Sequence, residues 1–359
     1  MTITFGPIKT STDSQPFVEC GSVDLSEPLA PKDLYTIREG LMKYGLIVFR
    51  GQRLEPEHEV RFNEAFGWHE NRQSDFLFGF GAPSKDLRFA GGAQLPEWPQ
   101  VSILGNVKID EHHGIHNLQL EPRLGFTFTG WHADGLHDMF DGMPEMTTMY
   151  NPYGWRTTSG GRTYFTSGVK AIERMEPQLL KELEKCFVSY MRCANDDDPD
   201  PARNISPGPA LMTDEGTKRV GFAKNQHDPS QGLHTFRPDE SHAKDGGIHP
   251  CIRIHPLTGQ KSLYVTPSRA VHLVDRETGK MRHDTEETAE LLSKALLPSA
   301  IPNVRYEHKW LEGDLVAWTN TLVLHSASDP HDIIGDRLIH RVRLSTPKTR
   351  WKDGRYTDS

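Results

Sequence analysis

Cysteine is scarce in this chain, with 4 among 359 residues, at positions 20, 186, 193 and 251, and no Cys-x-x-Cys pair. That argues against a disulfide-stapled secreted scaffold or a thiolate zinc ribbon, and it fits reduced thiols in a cytoplasm. Long apolar runs are missing too: none approaches the roughly 18 residues that a membrane-spanning helix needs. The N-terminus, Met1-Thr-Ile-Thr-Phe-Gly-Pro-Ile-Lys-Thr10, lacks the charged-then-apolar order of a secretory signal. Positive charge is not in surplus either. With 41 Lys and Arg against 49 Asp and Glu, the formal net charge of -8 speaks against a surface that coats phosphate backbones. Neither internal repeats nor low-complexity tracts are visible. The expectation is a cytoplasmic protein with no nucleic-acid or membrane partner.

Against these absences stands one compact motif, Trp131-His-Ala-Asp-Gly135. Residues i and i+2 of a strand share a face, and Gly125-Phe-Thr-Phe-Thr-Gly130 just before it reads as strand, so His132 and Asp134 can point at one ion. A second histidine from far along the chain would complete a clamp, and His325, in Thr321-Leu-Val-Leu-His-Ser326, is the candidate. Two neutral imidazoles and one carboxylate on one face of an octahedral ion leave positions open for a co-substrate and oxygen, the ligand set of a non-haem Fe(II) oxygenase. Downstream, in Asp336-Arg-Leu-Ile-His-Arg-Val-Arg-Leu344, residues Arg337, Ile339, Arg341 and Arg343 alternate with Leu338, His340 and Val342. One face of that strand would carry a row of guanidinium groups, suited to gripping a dicarboxylate such as 2-oxoglutarate.

Several further segments resemble, in order from near the N-terminus to about residue 345, the taurine dioxygenase and 2,4-dichlorophenoxyacetate dioxygenase family of Fe(II)/2-oxoglutarate enzymes. Val23-Asp-Leu-Ser-Glu-Pro-Leu29 resembles the family's entry segment. Gly45-Leu-Ile-Val-Phe-Arg-Gly-Gln52 resembles its first core strand, followed by a helix ending at Ala65-Phe-Gly67. Ser159-Gly-Gly-Arg-Thr-Tyr164 is similar to its Gly-Gly-x-Thr segment. The resemblance implies that Thr163 and Arg337 bind the distal carboxylate of 2-oxoglutarate and that Arg341 lies near a substrate or co-substrate carboxylate. It also implies consumption of 2-oxoglutarate and O2, release of succinate and carbon dioxide, and oxidation of a substrate C–H bond. Hydroxylation is the default outcome; desaturation and ring closure share its first step. Family members commonly self-associate, so a homo-oligomer is an expectation of the same kind.

Two departures stand out. The family often has Trp-Asp-Asn-Arg seven residues ahead of the distal histidine, where this chain has Trp318-Thr-Asn-Thr321. The stretch between Phe66 and His132 is also much longer than in the taurine enzyme, which weakens any case for taurine itself. The aromatic-bearing segment at Phe76, Phe78 and Phe80 would serve a heteroaromatic ring, whereas Arg341 at the mouth favours a small anionic or zwitterionic compound. Asn106 and Lys108, after an apparent strand over Val101-Ser-Ile-Leu104, are substrate-contact candidates. Glu111-His-His-Gly-Ile-His116 lacks the His-Glu-x-x-His order of a zinc protease, and a loop near the substrate entrance or a plain surface loop is the expected reading over a metal site.

The expected fold is mainly β within an α+β class: a double-stranded β-helix, or jelly roll, with flanking helices and long inserted loops near 68–125 and 194–250. One domain over 1–359 is expected, since β-rich catalytic domains with insertions reach this size. Helices are predicted over 31–45, around Val60 to Phe66, over 169–185 with a break at Pro177 and a cap at Ser167, and over 285–297. Strands are predicted over 146–150, 263–266, 314–318 and 321–324, with a turn at 157–161. Two other readings stay open: a zinc hydrolase on the same triad, for which the downstream arginines have no use, and a metal-free pocket for a small acid, which has no need of three ligands.

Overall fold

The computed structural model describes residues 2–8, 15–66, 93–98, 100–120, 129–134, 143–190, 248–255, 258–267, 270–328, 333–346, 351–352 and 355–356. The predicted segments at 76–80, 125–128 and 194–247 lie outside them.

Helix α1, Pro31–Tyr44, starts with a proline whose missing N–H costs nothing in a first turn, and it buries Ile37 and Leu41. Gly45 ends it at φ 78, donating its N–H to the Leu41 carbonyl at 2.8 Å. A side chain there would strain the backbone and strike Val323 Cγ2 at 2.9 Å. The chain then enters the strand Leu46–Phe49, whose four side chains are all buried, as expected where both faces of a strand are covered. Helix α2, Pro56–Phe66, follows.

Two sheets carry the site. The larger has eight strands, in the order Gly6–Pro7, Val18–Cys20, Leu46–Phe49, Leu315–Thr319, Met143–Tyr150, Leu338–Thr346, Ser102–Gly105 and Ala93–Gln94. The smaller runs Tyr306–His308, Thr163–Ser167, Val323–Ala327 and Thr129–His132. Period-two alternation sorts the large sheet's side chains into two cores. Ile47, Phe49, Met146, Tyr150, Leu315 and Ala317 pack outward with α1 and α2. Leu46, Val48, Met149, Val316, Trp318 and Ile339 pack inward with Phe165, Tyr306 and Val323 of the smaller sheet. The inner face of the Leu338–Thr346 strand therefore belongs to the odd-numbered residues Ile339, Arg341 and Arg343. Its outer face belongs to Leu338, His340 and Val342, under α2 and the hairpin formed by Lys108–His112 and Ile115–Gln119.

Several predicted elements are shifted. Thr157–Ser159 is strand, paired with Ile334–Gly335, and the turn is confined to Gly160 and Gly161 at φ 71 and 60. The strand bearing His325 starts at Val323, because Asn320, Thr321 and Leu322 form the preceding turn. The stretch over 111–116 is not a loop but the tip of the hairpin, turning at His113 and Gly114 with φ 43 and 82. Pro177 does divide the helical stretch, into Gly168–Glu173 and Pro177–Leu183, and Ser167 caps the first through Lys170 N–H at 3.3 Å. The C-terminal helix runs further than expected, over Thr285–Ala300. No helix among the described residues is long and apolar enough to cross a membrane.

Candidate metal and co-substrate site

His132 and His325 face each other directly across paired strands of the smaller sheet, with ring centroids 4.1 Å apart. Asp134, just past the strand end, brings Oδ1 to 3.8 Å from the Nε2 of each. One ligand atom from each residue lies within 4.8 Å of the others. Phe165 and Trp318 flank the His325 ring, with centroids at 6.1 and 4.8 Å.

Asp134 is almost wholly buried, so its charge needs partners. Burial alone would raise its pKa, but His325, Arg343, His132 and Arg341 together hold the carboxyl below the usual range. Burial also pushes His325 down, against the pull of Asp134 and with Arg341 and Arg343 adding to the effect. An ionised carboxylate beside a neutral His325 imidazole is the protonation state that a metal requires.

A hydrogen-bond ring fixes the carboxylate. Thr147 Oγ1 donates to Asp134 Oδ2 at 2.7 Å, and Asn320 Nδ2 donates to Thr147 Oγ1 at 2.9 Å. Asn320 Oδ1 accepts from Trp318 Nε1 at 3.0 Å and from the Asp134 backbone N–H at 3.3 Å. These partners leave Oδ1 as the oxygen turned toward the histidines. Asn320 is the residue kept from the Trp-x-Asn signature, and Arg343 belongs to the arginine alternation, so a sequence signal existed for both; Thr147 and Trp310 carried none.

Next to the triad lies a place for an anion. Arg337 is half-buried, and burial pushes its pKa down to about 10. Its Nε is buried with no hydrogen-bond partner among the described residues, an open donor that a carboxylate would satisfy. Its side chain lies over Gly161, where a Cβ would meet Arg337 Cδ at 2.8 Å. Thr163, two residues on, is buried, and its Oγ1 accepts from Trp310 Nε1 at 3.0 Å, leaving the hydroxyl proton available to an acceptor. The residues fit Fe(II) and a dicarboxylate: the N2O donor set leaves open positions, and the unmatched guanidinium leaves room for a charge partner.

Arg341 contacts Ser102 Oγ through Nε at 3.4 Å and, with Arg343, directs its charge at Asp134 and His325. Asn106 is a backbone clamp: it donates its N–H to the Arg337 carbonyl at 3.1 Å and accepts the Arg337 N–H on Oδ1 at 3.0 Å. Lys108 is exposed and pairs with Asp110 at 3.0 Å on the hairpin, outside this group of residues. His112 and His113 do not join the triad but meet His340 on the opposite face of its strand.

The chain matches the family described as taurine catabolism dioxygenase TauD, TfdA over residues 10–343. It is 28% identical over 347 residues to the alpha-ketoglutarate-dependent xanthine dioxygenase of Emericella nidulans, covering 85% of each chain. It is 25% identical to the alpha-ketoglutarate-dependent 2,4-dichlorophenoxyacetate dioxygenase of a Burkholderia species, covering 90% of each. Its fold superimposes on a taurine dioxygenase from Burkholderia xenovorans with a TM-score of 0.61 at 20% identity, covering 99% of this chain and 95% of that one.

Proposed function

This chain belongs to the taurine catabolism dioxygenase TauD, TfdA family and is a non-haem Fe(II)- and 2-oxoglutarate-dependent dioxygenase, and from that premise we propose how its residues divide the work and what they oxidise. Family membership selects this reading over the zinc hydrolase and the binding pocket. His132, Asp134 and His325 hold the iron, while Arg337 and Thr163 seat the distal carboxylate of 2-oxoglutarate. Bound there, iron and 2-oxoglutarate supply, with O2, the oxidative decarboxylation that yields succinate, carbon dioxide and the oxidising power for a C–H bond.

The protein's own contribution is orientation. Thr147 and Asn320 hold Asp134 so that Oδ1 faces His132 and His325, where it would serve as the carboxylate ligand. Gly161 lets Arg337 lie close to the chain, and Asn106 fixes the backbone at Arg337. Arg341 and Arg343 offset negative charge as anions gather at the site. The single observation that carries this reading is the buried Asp134 carboxylate held 3.8 Å from two facing Nε2 atoms.

The substrate proposed is a small anionic, zwitterionic or heteroaromatic molecule, hydroxylated by default. Two inward arginines support the anionic character. The relatives named for xanthine and 2,4-dichlorophenoxyacetate support a planar ring. The remaining proposals are a jelly-roll core in one catalytic domain over 1–359, a cytoplasmic setting in keeping with the buried free thiols Cys20, Cys186 and Cys251, and self-association.

Anaerobic titration of the Fe(II)-loaded protein with 2-oxoglutarate tests the assignment. The expected result is a weak visible charge-transfer band that is lost in His132→Ala and needs far more 2-oxoglutarate in Arg337→Ala. No band in iron-loaded wild type would sink it. Succinate release across a panel of planar acids and purines then tests the substrate class, and turnover confined to small aliphatic sulfonates would refute the planar-ring reading.

A further inference from the structure

We propose that His112, His113 and His340 form a second metal site, for a late first-row divalent cation of the Zn2+ type, on the opposite face of the Leu338–Thr346 strand from the iron triad. Each offers a ring nitrogen, and the three atoms lie within 4.8 Å of one another. His340 and His112 present Nε2 to Nε2 at 2.7 Å, and the ring centroids of His112 and His113 are 4.3 Å apart.

The other side of His340 supplies the strongest sign. Its Nδ1 lies 2.6 Å from Glu59 Oε1 of α2, and both side chains are within 1% of full burial. Burial pushes the Glu59 carboxyl well above its usual range, so in the metal-free chain this pair shares one proton. A cation on His340 Nε2 would set the N–H on Nδ1 with Glu59 as its acceptor, the orientation that protein metal sites give their histidines. Among the described residues, the polar atom that His340 Nε2 meets is a second imidazole nitrogen. Without a cation, one of the two Nε2 atoms must carry the proton of their hydrogen bond; with one, both nitrogens bind. Burial holds His340 near pKa 3, and burial with the charge of the neighbouring His340 and His113 holds His112 there, so these two are already in the neutral form that binds metal.

Local geometry converges on the same point. His113 occupies the left-handed region at φ 43, beside Gly114 at φ 82, in a tight hairpin turn where Asn or Gly is the unstrained choice. That strained residue brings the third imidazole to the cluster. His113 keeps 28% of its side chain exposed, which gives an entry path and a fourth position for water. Three imidazoles without a thiolate favour Zn2+, Ni2+ or Cu2+ over Mg2+ or Ca2+. A cation there would tie the hairpin and α2 to the outside of the strand whose inside carries Arg341 and Arg343.

Titration of the metal-free full-length protein with Co2+ under argon tests this. Wild type is expected to bind two equivalents, one with the weak absorption of a six-coordinate ion and one with the intense band of a four-coordinate ion, the latter displaced by Zn2+. His112→Gln with His113→Asn should abolish the intense band and keep the weak one, whereas His132→Ala should do the reverse. Glu59→Gln, which keeps the shape but not the charge, should weaken the second equivalent roughly 10- to 100-fold. His113→Asn alone suits the left-handed turn and should weaken it at least tenfold in a folded protein. A single equivalent in wild type, or a second one unmoved by His113→Asn and by the double variant, would overturn the site and leave a hydrogen-bonded histidine pair.

Discussion

Two histidine clusters on opposite sides of the Leu338–Thr346 strand are built on different electrostatic plans. On the inner face, the triad contains an ionised carboxylate, Asp134, with Arg341 and Arg343 supplying positive charge around it. On the outer side, the His112, His113 and His340 cluster has no acid among its three imidazoles; Glu59 stands behind His340, and Glu55 lies 3.9 Å from His113. The contrast separates a centre that must admit charged, exchanging partners from one that the protein closes around. Surplus guanidinium is useful where an anionic co-substrate comes and goes. Neutral nitrogens oriented by a buried carboxylate suit an ion that stays.

Removing the inner carboxylate should break the comparison most severely. Asp134→Asn keeps an acceptor for Thr147 but loses the charge that offsets the metal, and succinate release should fall to background while the outer cluster still takes its cation. Next in size is Arg337→Met. Charge-assisted hydrogen bonds contribute about 1.5–3 kcal/mol, so the KM for 2-oxoglutarate should rise roughly 10- to 100-fold with kcat at saturation largely kept. A fall in kcat at unchanged KM would assign Arg337 elsewhere. Thr147→Val sharpens the contrast further: it deletes the bond that aims Asp134, and loss of such a supporting contact weakens metal binding by about 10- to 100-fold. Calorimetry should register that loss for the inner site alone.

The inner site was legible in the sequence because its chemistry is local. A His-x-Asp pair, a distal histidine on an apolar strand and a two-residue alternation of arginines all carry their geometry in their spacing, and His132, Asp134 and His325 do converge. Its supports were less legible, since Thr147, Trp310 and Asn106 act through contacts spanning 13, 147 and 231 positions. Lys108 misled for a related reason: two residues beyond Asn106 the chain has left the strand and entered the exposed hairpin. The outer cluster was legible only in part. Its two neighbouring histidines read as a loop, and the third, 227 positions beyond His113, looked like the apolar-face partner of the arginine row. Only the pairing of Leu338–Thr346 with its neighbours, under α2 and the hairpin, brings them together.

The smallest predicted effect concerns acid. His112 and His340 sit near pKa 3 in the folded chain, against an ordinary 6.5, so the unfolded chain binds protons there that the folded chain refuses. The contribution of these two imidazoles is full above pH 6.5 and is lost as pH falls toward 3, while Glu59, raised well above 4.5 by burial, acts in the opposite sense, its contribution falling as pH rises. Glu182, held down to about 2 by its hydrogen bond to Arg282, loses its contribution in a lower window, below its ordinary 4.5. His255, lowered to about 4 by burial, overlaps the imidazole window, so the slope of wild type alone does not isolate the cluster. The difference between wild type and His112→Gln does. Thermal melts from pH 7 to pH 4.5 should show a shallower decline in the variant, and saturating Zn2+ should steepen the decline in wild type alone, because the cation locks in the neutral imidazoles. Parallel melting curves with and without Zn2+ would mean that the outer histidines hold no ion, and equal slopes in wild type and His112→Gln that they do not resist protons.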